Sequence, residues 1–126
     1  MNILGVGTDI VEINRITTIW QKYGLRFAKH ILAIEEIYEL ECSNDPARFL
    51  AKRFAAKEAV AKAIGTGFQN NVYLTQIRIF KDALGKPEVA FLLDTKEFID
   101  SLGKITCHIS ISDEKNYAIA FALLEK

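Results

Sequence analysis

Residues 53–67 read RFAAKEAVAKAIGTG, a run of alanine and long-chain helix formers that ends in glycines. Upstream, Ser43-Asn44-Asp45-Pro46 supplies a capping side chain followed by a proline, the usual opening of a helix. The two signals together predict one long helix from about Pro46 to Ile64 that stops at Gly65. Within it Glu58 stands one turn after Phe54 and one turn before Lys62. It is either half of an i,i+4 ion pair or a ligand that some chemistry requires.

The rest of the chain arranges itself around that helix. ILGVGTD at 3–9 alternates as a short strand, with Leu4, Val6 and Thr8 on one face and Ile3, Gly5, Gly7 and Asp9 on the other. Two glycines beside Asp9 predict close approach by another element. Ile13, Ile16, Ile19 and Trp20 give a helical period from Val11 to about Tyr23, closed by Gly24. A short helical piece carries Phe27, Ile31 and Leu32, and a third helix follows with Ile34, Ile37, Tyr38 and Glu41 near one face. GTGFQNN reads as a loop. TQIRIFKD and KPEVAFLL form a hairpin about Ala83-Leu84-Gly85, TKEFIDSLG a short helix, and KITCHISIS and YAIAFALLE a final hairpin through 113–116. Strands and helices intermixed with two hairpins predict an α+β fold, an antiparallel sheet packed against a long central helix, as a single domain over 1–126.

At 126 residues, half of them hydrophobic and a quarter charged, the chain can bury a core without disulfides. Cys42 and Cys107 form no C-x-x-C pair and read as reduced thiols of a cytoplasmic protein. No apolar run approaches the roughly 20 residues that span a bilayer, and the N-terminus lacks the basic start of a secretion signal. Zero formal net charge argues against nucleic acid as a partner. The neutral total conceals a basic segment, Arg15, Lys22, Arg26 and Lys29, followed by an acidic one, Glu35, Glu36, Glu39, Glu41 and Asp45.

Asp9 and Glu58 are the first candidates for chemistry. Glycine and alanine neighbours let two such carboxylates converge, and magnesium suits one or two carboxylates that leave room for waters and phosphate oxygens. The alternative is that Asp9 caps the next helix and Glu58 pairs with Lys62. Arg53, Lys57 and Lys62 on the same helix could face anionic oxygens or merely solvent. His108, on the polar side of its strand beside Ser110, could bind phosphate or move a proton. Gly65-Thr66-Gly67 follows a helix instead of preceding one, so it is a cap and not a phosphate loop. No spacing for a nucleophilic triad or a thiolate metal cluster is present.

GVGTDIVEINRI at 5–16, FLAKRFAAKEAVAKAIGTG at 49–67, LGKP at 84–87 and HISISDEKNYAIA at 108–120 together resemble the holo-acyl-carrier-protein synthases, the small single-domain 4′-phosphopantetheinyl transferases. The resemblance implies magnesium-dependent transfer of 4′-phosphopantetheine from coenzyme A to a serine of an apo acyl carrier protein, with release of adenosine 3′,5′-bisphosphate, in fatty acid biosynthesis. It implies Asp9 and Glu58 as magnesium ligands, and Arg53, Lys62, Gly65, Lys86, Pro87 and His108 as contacts to coenzyme A. It also implies a homotrimer with active sites at subunit boundaries, where His108 completes a neighbour's site. Glu58, Lys62 and His108 are the expected catalytic groups. A metal-bound water relayed through Glu58 is the first candidate to take the serine proton, and His108 the second. The basic segment would steer an acidic carrier onto Arg15, Lys22, Arg26, Phe27 and Lys29, with Phe27 or Ile31 as apolar anchor. The rival readings are a transferase for another carrier, a non-catalytic coenzyme A or carrier-binding module, and a metal-dependent hydrolase.

Overall fold

The computed structural model describes residues 2–67 and 69–126, so Phe68 of the expected 65–71 loop lies outside it. The order is β1 (Ile3–Glu12), α1 (Ile13–Tyr23), α2 (Leu25–Ala28), α3 (Ile34–Glu41), α4 (Pro46–Ile64), a 3-10 turn (Leu74–Gln76), β2 (Ile77–Lys81), β3 (Pro87–Phe91), α5 (Leu93–Ser101), β4 (Thr106–Asp113) and β5 (Tyr117–Glu125). Strands β1, β5 and β4 form one antiparallel sheet in that order, and β2 and β3 pair separately. This is the expected α+β architecture, with α4 laid across the three-stranded sheet.

Both ends of α4 fall where local chemistry puts them. The Asp45 carboxylate accepts from the Arg48 N–H, Pro46 occupies the first turn, and Gly65 closes the helix at φ 91°. The strand ahead runs further than its glycines suggest. Alternation continues through Ile10 and Val11 to Glu12, so β1 is ten residues long and α1 begins at Ile13 instead of Val11.

The sheet packs small residues inward. Ala118, Ala120 and Ala122 of β5 are buried with Ala55, Ala56, Ala59 and Ala63 of α4, so the layers sit close together. Gly5 and Gly7 bring β1 onto the same helix. A methyl group at Gly5 would strike the carbonyl of Ala63, and one at Gly7 the carbonyl of Ala59. Neither backbone can yield as a side chain would. Gly7→Ala is therefore expected to lower stability by about 1–3 kcal/mol, and to displace Asp9, which lies on the same face two residues on. A denaturation curve checks the first part, and the chemical shifts of Asp9 and its neighbours the second.

The larger side chains point outward. Leu4, Val6 and Ile10 of β1 and Tyr117, Ile119 and Phe121 of β5 are exposed on the face away from α4. On α3, Ile34, Ile37, Tyr38 and Glu41 share one face as read, but that face is turned outward: Ile34 and Tyr38 are more than two-thirds exposed, whereas Glu36 and Leu40 are buried. The row at 34, 37, 38 and 41 lines a surface groove, because the helix turns inward Glu36, which meets the buried Arg53 and Lys57.

Candidate active site

Asp9 and Glu58 meet because β1 slides along α4 on its glycines. Gly5 lies against Ala63, and Gly7 against Ala59, Lys62 and Ala63, so the next residue on that face, Asp9, reaches the Glu58 turn. Asp9 does not cap α1, whose first turn has no side-chain cap. Lys62 does not pair with Glu58 either. Its Nζ donates to the Thr8 carbonyl at 2.8 Å and to Asp9 Oδ1 at 3.2 Å. The two structural alternatives for these carboxylates therefore fail.

Burial pushes the Glu58 carboxyl above its ordinary pKa, the charge of Asp9 pushes it further, and Lys62 partly opposes the rise. Two carboxylates close enough to repel, with one cation bound to only one of them, favour a further positive charge between them. Among the described residues no cluster of three or more His, Cys, Asp or Glu side chains is placed to hold a metal ion. The donor set is a carboxylate pair that leaves coordination positions to water or phosphate, which fits magnesium better than zinc.

Arg53 and Lys57 belong elsewhere. Lys57 is fully buried, and its Nζ donates to Glu36 Oε1 at 2.6 Å, to the Ile31 carbonyl at 2.7 Å and to the Leu74 carbonyl at 3.0 Å. Arg53, 5% exposed, donates to Glu36 Oε2 at 3.0 Å, to Glu39 Oε2 at 2.7 Å and to the Ile79 carbonyl. The Arg53 guanidinium, expected at coenzyme A, is engaged by these partners within the chain. Much of the acidic segment is an internal counter-charge for α4.

Arg53 still forms part of the wall of a cleft of about 420 Å³ between the first half of α4, the β2–β3 hairpin and β4. Its other cations are the half-buried Arg48 and Lys52 and the exposed Lys81, none of them singled out above, and Gly85 and Pro87 line its far side. The i,i+4 spacing of Arg48 and Lys52 was the available signal. Arg48 Nη1 also donates to Asp113 Oδ2 at 2.8 Å and to the Glu114 carbonyl at 2.7 Å, tying the β4–β5 turn to α4. Pro87, one of the expected coenzyme A contacts, lines this cleft. The Lys86 ammonium extends into solvent, 3.6 Å from Glu88, at the edge of the same hairpin.

The expected coenzyme A contacts therefore divide within one chain. Lys62 and Gly65 lie near one end of α4 and the cleft nearer the other, with Arg53 about 14 Å from Lys62 along the axis at ~1.5 Å per residue. His108 is separated again. Cys107, Ile109 and Ile111 pack inward, so His108 projects from the opposite face of the sheet, where Nε2 is 2.6 Å from Glu125 Oε1. The structure does not bring it to Glu58 within a protomer. Burial lifts the Cys107 thiol to about 12, with Glu88 adding to the rise, so it is inert as a nucleophile.

The cations of the basic segment all face solvent, and two of them gather about one tyrosine. Arg15, Lys22, Arg26 and Lys29 are exposed, and Lys22 and Arg26 flank the Tyr23 ring at 5.2 and 5.8 Å. Phe27 lines a shallow cleft there with Ile19, Tyr23, Arg26 and His30. Ile31, the alternative anchor, is corrected to core: it is 2% exposed.

A carboxylate pair with a lysine beside it, a cation-lined cleft elsewhere and no activated nucleophile among the described residues suit a protein that moves a phosphate-linked group between two bound partners. Comparison with known proteins agrees. The model of the 4′-phosphopantetheinyl transferase superfamily matches residues 5–122. The holo-[acyl-carrier-protein] synthase of Nitrosospira multiformis is 51% identical over 124 residues, covering 98% of this chain and 99% of the relative. The crystal structure of the Neisseria meningitidis synthase superposes with a TM-score of 0.94 at 43% identity, over 99% of this chain and 100% of that one. The Bacillus anthracis synthase in complex with coenzyme A (3′,5′-ADP) gives 0.82 at 34%, over 98% and 97%. The chain belongs to the 4′-phosphopantetheinyl transferase superfamily and groups within it with the holo-[acyl-carrier-protein] synthases.

Proposed function

We propose that the protein transfers 4′-phosphopantetheine from coenzyme A to a serine of an apo acyl carrier protein, with magnesium held by Asp9 and Glu58, in cytoplasmic fatty acid biosynthesis. The observation that carries this is the meeting of Asp9, Glu58 and Lys62 on glycine- and alanine-lined backbone. The serine oxygen forms a bond to the phosphorus bearing pantetheine. The bridging P–O bond breaks, and its electrons leave with adenosine 3′,5′-bisphosphate. When bound, magnesium offsets the charge that gathers on the pyrophosphate oxygens. Lys62, half-exposed, donates to those oxygens. A metal-bound water relayed through Glu58 would take the serine proton, with His108 of a neighbouring protomer as the second candidate.

The division of coenzyme A contacts supports a neighbour completing each site. In a homotrimer, the cleft with Arg48, Lys52 and Pro87, or the strand with His108, of one protomer would face Asp9 and Glu58 of the next. The exposed apolar face of β1 and β5 suits such burial, since contiguous apolar patches on soluble proteins mark contact surfaces. Phe121→Glu, at a position 45% exposed in one chain, should give monomers with little activity. Light scattering that returned the wild-type mass would remove this face from the assembly.

Incubation with coenzyme A, magnesium and an apo acyl carrier protein, followed by intact-mass analysis, tests the reaction. One phosphopantetheine should be added per carrier, with adenosine 3′,5′-bisphosphate released only when carrier is present. Binding without release would identify a non-catalytic module, and release without carrier a hydrolase.

A further inference from the structure

We infer that Lys57 is a positioning residue that holds the carrier-docking helix in register with the Asp9–Glu58 site. Lys57 is adjacent in sequence to Glu58, yet its ammonium points the other way into the core and is fully buried. An ammonium is among the costliest groups to bury, and an apolar side chain of similar volume would fill the same space. What the apolar group could not do is bind three separate elements at one atom. Lys57 Nζ donates to Glu36 of α3, to the Leu74 carbonyl at the 3-10 turn and to the Ile31 carbonyl.

Ile31 is the link to docking. Its own N–H donates to the Ala28 carbonyl, as does that of Leu32, so the peptide held by Lys57 is the closing turn of the α2 segment. That segment presents Arg26, Phe27 and Lys29 to solvent or to a shallow cleft. Burial of Ala28, Ile31 and Leu32 also holds the segment, but among the described residues no other side-chain hydrogen bond reaches residues 24–32. One residue therefore fixes the docking surface on one side of α4 and precedes, on the same turn, the carboxylate at the reacting centre. A carrier serine delivered by α2 must arrive beside Glu58, and displacement by about 1 Å can cost on the order of 10²-fold in rate.

The inference rests on the carrier docking proposed above, and the experiment separates the two. Kinetics are measured on the full-length enzyme with coenzyme A and an apo acyl carrier protein, per folded protein. Arg26→Glu should raise KM for the carrier; no change would defeat the docking reading itself. With that effect present, Lys57→Met should lower kcat/KM for the carrier by on the order of 10²-fold, while KM for coenzyme A stays within about threefold. Amides of residues 27–32 should exchange faster with deuterium than those of the sheet. Glu36→Gln is the control. It destabilises the same cluster but leaves the Lys57 bonds to Ile31 and Leu74, so its carrier kcat/KM should remain near wild type. If Lys57→Met alone does not fold, Lys57→Met/Glu36→Gln, with less charge left unbalanced, takes its place. Carrier kcat/KM within threefold of wild type in the folded Lys57 variant, or an equal loss in Glu36→Gln, overturns the inference and leaves Lys57 as a stabilising residue only.

Discussion

Glu58→Gln is expected to lower kcat by on the order of 10³-fold, the scale on which loss of one electrostatic partner of the transition state is felt, without loss of fold. The second half of that expectation follows from the surroundings of Glu58. Lys62 donates to Asp9 and Thr8, so no ion pair is broken when Glu58 becomes neutral. Burial and the Asp9 charge already oppose its ionisation. Removing the charge from the metal-free protein should leave Tm unchanged or raise it slightly. The pH dependence gives a further check. A carboxyl raised in the folded state keeps its proton to higher pH than the unfolded chain does. Its contribution to stability is therefore present below the ordinary carboxylate pKa and is lost as pH rises through the raised folded value. The metal-free wild type should lose stability across that window, and Glu58→Gln should lack this component. A variant that unfolds, or turns over at near-wild-type rate, would show that Glu58 is structural.

Glu36→Ala has the opposite profile, a large loss of stability at a residue remote from the chemistry. Glu36 is fully buried and is the shared acceptor for Lys57 and Arg53. It also accepts the Ala33 N–H at 2.9 Å, which starts α3. Truncation leaves Lys57 without a carboxylate and Arg53 with only Glu39. Breaking a buried pair in this way costs about 3–5 kcal/mol, a large share of the 5–15 kcal/mol that holds a typical domain together. Tm should fall by about 10 °C or more, with the denaturant midpoint moving in parallel. Replacing all three charges together by apolar residues, Glu36→Leu with Arg53→Met and Lys57→Met, should recover much of the loss, because the penalty comes from unpaired charge and not from lost packing. Loss of less than about 1 kcal/mol in Glu36→Ala would mean that water reaches the cluster.

Features encoded locally were legible in the sequence. Asp45, Pro46 and Gly65 mark the ends of α4 because caps depend on neighbouring residues alone. Gly5 and Gly7 announced close approach at Asp9 because only glycine permits it. What was not legible depends on partners far along the chain. The spacing of Arg53, Lys57 and Lys62 is the same whether a side chain meets solvent or core. Only the fold shows that the first two turn toward Glu36 while the third turns toward Asp9. Alternation in YAIAFALLE separated alanines from large residues but did not say which face is inside. The alanines are, since β5 must approach an alanine-rich helix. Arg48 and Lys52 were passed over because their cleft exists only once the β2–β3 hairpin folds beside α4.

The Asp9–Glu58 pair as holder of the divalent cation is the claim on which the functional account turns. Titration with manganese as a paramagnetic stand-in for magnesium, in the presence of coenzyme A, measures it by water-proton relaxation. Wild-type protein should show one saturable site per protomer, and Asp9→Asn and Glu58→Gln should each weaken it tenfold or more, in line with the loss of one of two charged ligands. Equal manganese affinity in wild type and both variants would contradict the account and place the cation elsewhere.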